Sequence, residues 1–268
     1  MKKYKRFIWI GFALMAIFIL LLPTFFNLEV ETLNSTIRAE DPDKFIELPQ
    51  GITQYQEADP DTAQTVLLIS GFSVPYHILD PIFEALKDPG YHVIIYNLFG
   101  RGYSDRPDGK YDQKFFTKQI ADLLKALHIN NPIDLIGLSM GAPIGAEFTI
   151  NYPEKVDKLV LIGTVHEAVN IFLLKITYIG EYIMNVFFAP SLVKDATDEY
   201  YQQKAHEGWA EKFNVHMKYK GYKKAILATL RNYMSKDKLH VYSELGELQK
   251  HVLLIWGKDD TSQPFEGN

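Results

Sequence analysis

Gly137-Leu138-Ser139-Met140-Gly141 sets a serine between two glycines, each two residues away. Residues 133–136 before it form a short apolar run, and residues 142–148 after it have the composition of a helix. A strand that turns sharply into a helix around a serine strains the backbone at that serine and lifts its hydroxyl above the sheet, which is the nucleophile elbow of the G-x-S-x-G pattern. The turn tolerates only small neighbours, and both are glycine. Pro143 falls in the first helical turn, where a missing N–H costs nothing. Without the flanking strand and helix, the same five residues would be an ordinary glycine-rich turn.

Such a serine needs a sheet to stand on, and the rest of the chain supplies one. Residues 65–69, 92–96, 158–162 and 251–256 are apolar runs of the kind found in strands covered on both faces. Helical spacing fills 77–87 and 113–128, the latter with Phe116, Ile120, Leu123, Leu124 and Leu127 on one face. Residues 44–48 and 52–56 read as two short strands around Pro49-Gln50-Gly51. Strands alternating with helices predict an α/β fold with a mostly parallel, doubly wound sheet. The rhythm breaks over 164–250, an aromatic-rich helical stretch that includes Phe172, Tyr178, Tyr182, Phe187, Phe188, Tyr200, Tyr201, Phe213, Tyr219, Tyr222 and Tyr233. We read it as a lid inserted between two strands, most of whose aromatics pack the lid on itself.

The 268 residues suffice for one large domain with insertions. A net charge of −5 gives no basic footprint, so nucleic acid is not an expected partner. The absence of cysteine excludes disulfides, a thiol nucleophile and thiolate metal sites. No histidine–carboxylate cluster has ligand spacing, so no metal or organic cofactor is implied.

Lys2, Lys3, Lys5 and Arg6 precede an apolar run from Phe7 to Leu22 that continues past Pro23 to Phe26. At about 1.5 Å per residue this nearly spans a hydrocarbon core of roughly 30 Å. The length of the run and the lack of an A-x-A site favour an uncleaved single-pass anchor over a cleaved signal peptide. The cationic flank predicts a cytoplasmic N-terminus and a catalytic domain on the extracytoplasmic side of the cell membrane. The expected organisation is an anchor at 1–27, a polar tether at 28–43, a core at 44–163 and 251–268, and a helical lid at 164–250. Asn34-Ser35-Thr36 matches a glycosylation sequon.

From about residue 44 onward the chain resembles the α/β-hydrolase superfamily, in its lidded serine-hydrolase branch. Four motifs carry the resemblance: Ser70-Gly71-Phe72-Ser73 after the first buried strand, the glycine-rich turn from Asn97 to Pro107, the elbow, and Trp256-Gly257-Lys258-Asp259-Asp260 running to Pro264. The first departs from the family's usual His-Gly-aromatic, and Asn97 stands where the family often has Asp. The resemblance implies that Ser139 attacks a carbonyl, while the N–H groups of Met140 and Phe72 hold the oxyanion. Only backbone donors are needed there, so Ser70 does not disturb the mechanism. Asp260 is the expected acid, at the carboxyl edge after a buried strand, with Asp259 as its neighbouring alternative. The turn at 97–107 is read as structural, with Arg101 and Asp105 making local hydrogen bonds.

The chain order Ser…Asp…His places the general base after the acid. Eight residues follow Asp260, and none is histidine. Of the eight histidines in the chain, His77 and His166 are the two expected near the carboxyl edge, although neither occupies the base's position. Either the natural protein continues past Asn268 or it ends as a non-catalytic relic. The unprotected apolar edge that 251–256 would present favours continuation. A triad without its base keeps only about 10³–10⁴-fold acceleration over water, so the chain as written is expected to be nearly inactive.

The leading expectation is therefore a membrane-tethered serine hydrolase acting through an acyl-enzyme on a small-molecule substrate with an apolar ester group, such as a lipid ester. The resemblance also covers relatives that cleave carbon–carbon bonds, release N-terminal residues or carry out perhydrolysis. Haloalkane and epoxide hydrolysis are disfavoured, because those relatives carry Asp where this chain has Ser139. The rival class is a degenerate hydrolase fold used for binding.

Overall fold

The computed structural model describes residues 2–58, 64–198, 208–260 and 262–265. Seven strands form one sheet: β1 (Lys44–Leu48), β2 (Gly51–Ala58), β3 (Thr65–Ile69), β4 (His92–Tyr96), β5 (Ile133–Leu138), β6 (Val156–Ile162) and β7 (His251–Ile255). Their order is β1-β2-β4-β3-β5-β6-β7. The two pairings that involve β2 are antiparallel, and the remaining pairings are parallel. β2 and β5 each run about two residues beyond the apolar windows read from the sequence.

Both faces of the sheet are covered, which is why β3 and β4 read as continuous apolar runs. Alternate residues feed two cores. Leu67, Ile69, Ile94 and Leu135 face one side with Phe116, Ile120 and Phe148. Val66, Leu68, Val93 and Ile95 face the other with Tyr76, Leu79 and Phe83. The covering helices are α3 (Asp80–Lys87), α4 (Gln113–Ala126) and α5 (Gly141–Asn151). Asp112 caps α4 by accepting from the Phe115 amide at 3.0 Å. α5 is buried from Gly141 through Thr149, and its small residues Gly141, Ala142, Gly145 and Ala146 let it lie close on the sheet.

The parallel register aligns the carboxyl ends of the strands. Ile69 pairs with Gly137, Leu138 with Ile162, and Ile162 with Ile255. The loops after β3, β5, β6 and β7 therefore emerge side by side on one edge, where open α/β sheets place their ligands. β7 is the outer strand, and Val252, Leu253, Leu254 and Ile255 are all exposed. This is the bare apolar edge expected for 251–256.

Two further helices lie ahead of the sheet, α1 (Lys2–Phe25) and α2 (Ser35–Ala39). Phe7–Phe25 of α1 has a mean hydropathy of 2.4 and is long and apolar enough to cross a membrane. Residues 28–43, expected to be an irregular tether, are tied down. Asn34 caps α2, and buried Arg38 bonds Asp105 at 2.5 Å. The amides of Val30 and Glu31 donate to the Lys218 carbonyl. Polar composition signalled solvent exposure, but these polar atoms find partners on the lid and on the 97–107 turn.

Residues 164–250, between β6 and β7, hold α6 (Ile179–Ile183), α7 (Ala189–Asp198), α8 (Trp209–Met217), α9 (Tyr222–Thr229) and α10 (Leu239–Glu247), with π-helical turns at Met184–Phe188 and Leu230–Met234. Phe213, Tyr219, Tyr222 and Tyr233 are buried as expected, whereas Phe172, Tyr178 and Phe187 are exposed. Tyr200 and Tyr201 lie outside the described residues.

One buried polar cluster joins this stretch to the core. Glu147 of α5 accepts from the Tyr233 hydroxyl at 2.9 Å. Lys238 lies 4.1 Å from the centre of the Tyr233 ring and donates to its carbonyl. Burial pushes the Glu147 carboxyl up from 4.5 to about 7, against the lowering effect of the Tyr233 hydrogen bond and the Lys238 charge. A raised folded-state pKa means that its stabilisation is complete below about pH 4.5 and is lost as pH rises through about 7. Glu147→Gln should remove that dependence, so the parent should lose on the order of 3 kcal/mol more than the variant across this range. Urea denaturation at pH 5 and pH 8 measures it, and equal slopes in both proteins would refute the assignment.

Candidate active site

Ser139 has φ +53°, the left-handed region that residues with side chains rarely occupy. Two constraints hold it there. Its amide donates to the Ile162 carbonyl at 2.8 Å, extending the β5–β6 ladder one step past the strand. Its glycine neighbours leave no room to relax. A Cβ on Gly137 would lie 2.4 Å from the Gly141 carbonyl oxygen, and one on Gly141 would lie 2.2 Å from that of Ile69. The elbow is thus wedged between its own helix and β3.

The loop after β3 runs beside the elbow. A Cβ on Gly71 would sit 3.5 Å from the Ser139 Cβ, in ordinary contact. Among the described residues, neither the Phe72 amide nor the Met140 amide donates to a backbone carbonyl. Both are therefore uncommitted to the backbone. Met140 immediately precedes the N-terminus of α5, whose dipole favours negative charge.

Asp260 follows β7 and reaches the same edge. Its Oδ1 accepts from the amides of Ser262 and Gln263 at 2.9 and 2.8 Å, which fixes the carboxylate. Its Oδ2 stands over Gly163, where a Cβ would approach to 3.2 Å. Asp259 is more exposed and makes no such turn. Ser139, Phe72 and Asp260 all line one open cleft of about 790 Å³, with Val74, Phe188 and Leu192 among its apolar walls.

Among the described residues, no histidine lines that cleft. His77 faces Asp80 at 3.5 Å and stacks on His216 with 6.2 Å between ring centres. His166 lines a separate cavity of about 670 Å³ with Tyr242 and Trp256. Neither upstream candidate is among the residues lining the Ser139 cleft. His216 is also unsuited, because burial holds its imidazole neutral with a pKa lowered to about 3. No cluster of three or more His, Cys, Asp or Glu side chains suited to a metal occurs among the described residues.

Arg101 is the residue whose reach the sequence did not reveal. It was expected to bond locally, yet its fully buried guanidinium crosses the molecule. Nε and Nη2 donate to the Phe72 carbonyl at 2.8 and 2.6 Å, Nη1 to the Phe99 carbonyl, and Nη2 also to the Thr229 hydroxyl of α9. The rings of Phe72 and Phe116 lie 5.8 and 5.7 Å away. Burial lowers its pKa to about 10, so the charge persists at neutral pH. The Tyr222 hydroxyl donates to the Ser73 carbonyl at 3.1 Å. Asn97 accepts from the Tyr76 amide at 2.8 Å. Three side chains thus fix the loop carrying the Phe72 amide. The sequence signalled Arg101 and Asn97 only as part of a glycine-rich turn, and Tyr222 only as one of many aromatics.

Two substitutions test this frame. Gly141→Ala should destabilise the fold by roughly 3 kcal/mol or more, because the clash is with backbone. A loss within about 0.5 kcal/mol, the range of an ordinary surface change, would contradict the wedged geometry. Arg101→Lys should slow the reaction of Ser139 with a fluorophosphonate more than it lowers the melting temperature, since one ammonium cannot reproduce the fork on Phe72. Unchanged reactivity would show that the clamp does not matter to the site.

Residues 64–264 match the alpha/beta hydrolase fold family. A 2-hydroxymuconate semialdehyde hydrolase from Pseudomonas putida is 40% identical over 74 residues, which cover 27% of this chain and 26% of the relative. Lipase 3 from Moraxella is 31% identical over 111 residues, or 41% of this chain and 35% of the relative. The chain therefore matches about a quarter to a third of the length of these relatives. A thermophilic esterase from Thermogutta terrifontis superposes with a TM-score of 0.66 at 21% identity, covering 84% of each chain. With the family match spanning most of the sequence and the sheet order, elbow and strand-edge cleft all in place, the chain belongs to the alpha/beta hydrolase family.

Proposed function

We propose that this protein is a membrane-tethered serine hydrolase of carboxylic esters that works through an acyl-enzyme on Ser139. One observation carries the reading: a serine held in the left-handed region, next to the uncommitted Met140 amide, lines one cleft together with Phe72 and the fixed Asp260 carboxylate. The Ser139 oxygen would add to the ester carbonyl. The Phe72 and Met140 amides would hold the resulting oxyanion. Collapse would expel the alcohol and leave an acyl group on the serine, which water would release as the carboxylic acid. Asp260 would orient and charge-balance the group that takes the seryl proton. The apolar walls contributed by Val74, Phe188 and Leu192 suit an acyl chain.

The relatives named as a lipase and an esterase support the ester reading. The relative named as a semialdehyde hydrolase shows that the same skeleton also serves a different reaction. Because no histidine among the described residues lines the cleft, the described chain should turn over slowly, with about 10³–10⁴-fold acceleration remaining from the oxyanion donors and binding. A cleft with no histidine among its described lining residues also supports a second reading, a hydrolase-like fold that binds an apolar ligand without cleaving it. The apolar α1 supports the tether, with the sheet on the extracytoplasmic side.

Fluorophosphonate labelling of the full chain separates the readings. Slow, stoichiometric labelling that Ser139→Ala abolishes is the expected result. Labelling that survives Ser139→Ala would overturn the nucleophile assignment. No labelling of a folded protein at any reagent concentration would favour the binding reading.

A further inference from the structure

α1 does not stand apart from the lid. The Tyr182 hydroxyl, on α6, donates to the Ile19 carbonyl of α1 at 3.1 Å, and α1 packs against the π-helical turn Met184–Phe188. Ile19 lies six residues before Phe25, the end of the apolar span. At the helical rise that is about 9 Å inside the end of the span. An element touching α1 at that level lies below the mouth of the bilayer if α1 crosses it. Interfacial elements bury their apolar faces about 5–10 Å into the headgroup and acyl boundary, which is the same depth.

The stretch 172–187 that carries these contacts has the matching composition. Phe172 is 72% exposed, Tyr178 84% and Phe187 61%, and Leu173, Ile176 and Ile179 are also exposed. Six large apolar or aromatic side chains within sixteen residues are more than isolated surface hydrophobics. The stretch carries two charges. Glu181 is committed to Arg231 at 2.7 Å. Lys175 is exposed, and its flexible stem can carry its ammonium up to headgroup level. Exposed tyrosine beside phenylalanine and isoleucine is the composition of a membrane interface rather than of a water-facing lid.

We propose that the lid surface formed by residues 172–187 is a membrane-docking face. It is seated in the same leaflet that the C-terminal end of α1 enters, so that the Ser139 cleft takes its ester from the bilayer. This rests on the reading of α1 as a membrane anchor. Phe187 and Phe188 make the connection. Phe187 points outward in the patch, while its neighbour Phe188, with Leu192, lines the cleft. An acyl chain leaving the leaflet beside Phe187 meets the wall of the cleft one residue later.

The chain has no cysteine, so single-cysteine variants report one position each. Full-length protein with Phe172→Cys, Tyr178→Cys or Phe187→Cys is labelled with an environment-sensitive fluorophore and reconstituted in phosphatidylcholine–phosphatidylglycerol vesicles. Quenching by lipids doxyl-labelled near the headgroup is then measured. Phe18→Cys, inside α1, controls for anchoring. Asn131→Cys, in the loop before β5 at the opposite edge of the sheet, controls for the water-facing body. Quenching at 172, 178 and 187 several-fold above that at 131 is the predicted result. Quenching at 18 with none at the three lid positions would leave the anchor standing and overturn the docking face. No quenching at 18 would overturn the tether and this proposal with it. Cross-linking between copies through position 178, without lipid quenching there, would assign the patch to a second copy and likewise overturn it.

Discussion

Everything at the candidate site depends on one backbone constraint, a non-glycine residue forced to positive φ at the end of a central strand. That conformation costs of order 1–3 kcal/mol and persists only where the surroundings over-determine it. Here the surroundings are the close approach of α5 to β3 and β5, together with the ladder bond from Ser139 to Ile162. The same approach that strains the serine puts the start of a helix and the Met140 amide beside it. The strain at Ser139 and the placing of an uncommitted amide next to it are consequences of a single packing decision made by Gly137 and Gly141.

The second layer of the site is polar and buried. Arg101, Tyr222 and Asn97 each spend a side chain on the backbone of the loop after β3. A charged guanidinium without a carboxylate partner is an expensive way to hold a carbonyl, since burial, and after it the Arg106 charge, lowers its pKa. Its compensation is geometric. A planar fork can meet Phe72, Phe99 and Thr229 at once, and so joins the loop after β3 to α9. One guanidinium thereby ties the Phe72 carbonyl to the Thr229 hydroxyl.

What could be read from the sequence follows from how local each signal is. The strands announced themselves because burial on both faces produces unbroken runs of Val, Ile and Leu, and the elbow because its glycines are a steric requirement within five residues. Phe72 and Asp260 were legible only through order along the chain. Their convergence on one edge depends on the parallel register of β3, β5, β6 and β7. The reach of Arg101 was illegible, because its Thr229 partner lies 128 residues away. Residues 28–43 misled for a related reason. Polar composition looks the same whether its partners are water or a distant turn, and Arg38 with Asp105 is the second case. The exposed aromatics at 172, 178 and 187 were visible as aromatics, but nothing local distinguished them from Tyr219 or Tyr233, which are buried.

The account stands or falls on whether the serine and the two amides form one preorganised unit. A crystal structure of the protein after reaction with a small alkyl phosphonate measures this directly. The account predicts phosphorus bonded to the Ser139 oxygen, with a phosphonyl oxygen within hydrogen-bonding distance of both the Phe72 and Met140 nitrogens. An adduct on another residue, or a phosphonyl oxygen turned away from either amide, would contradict it.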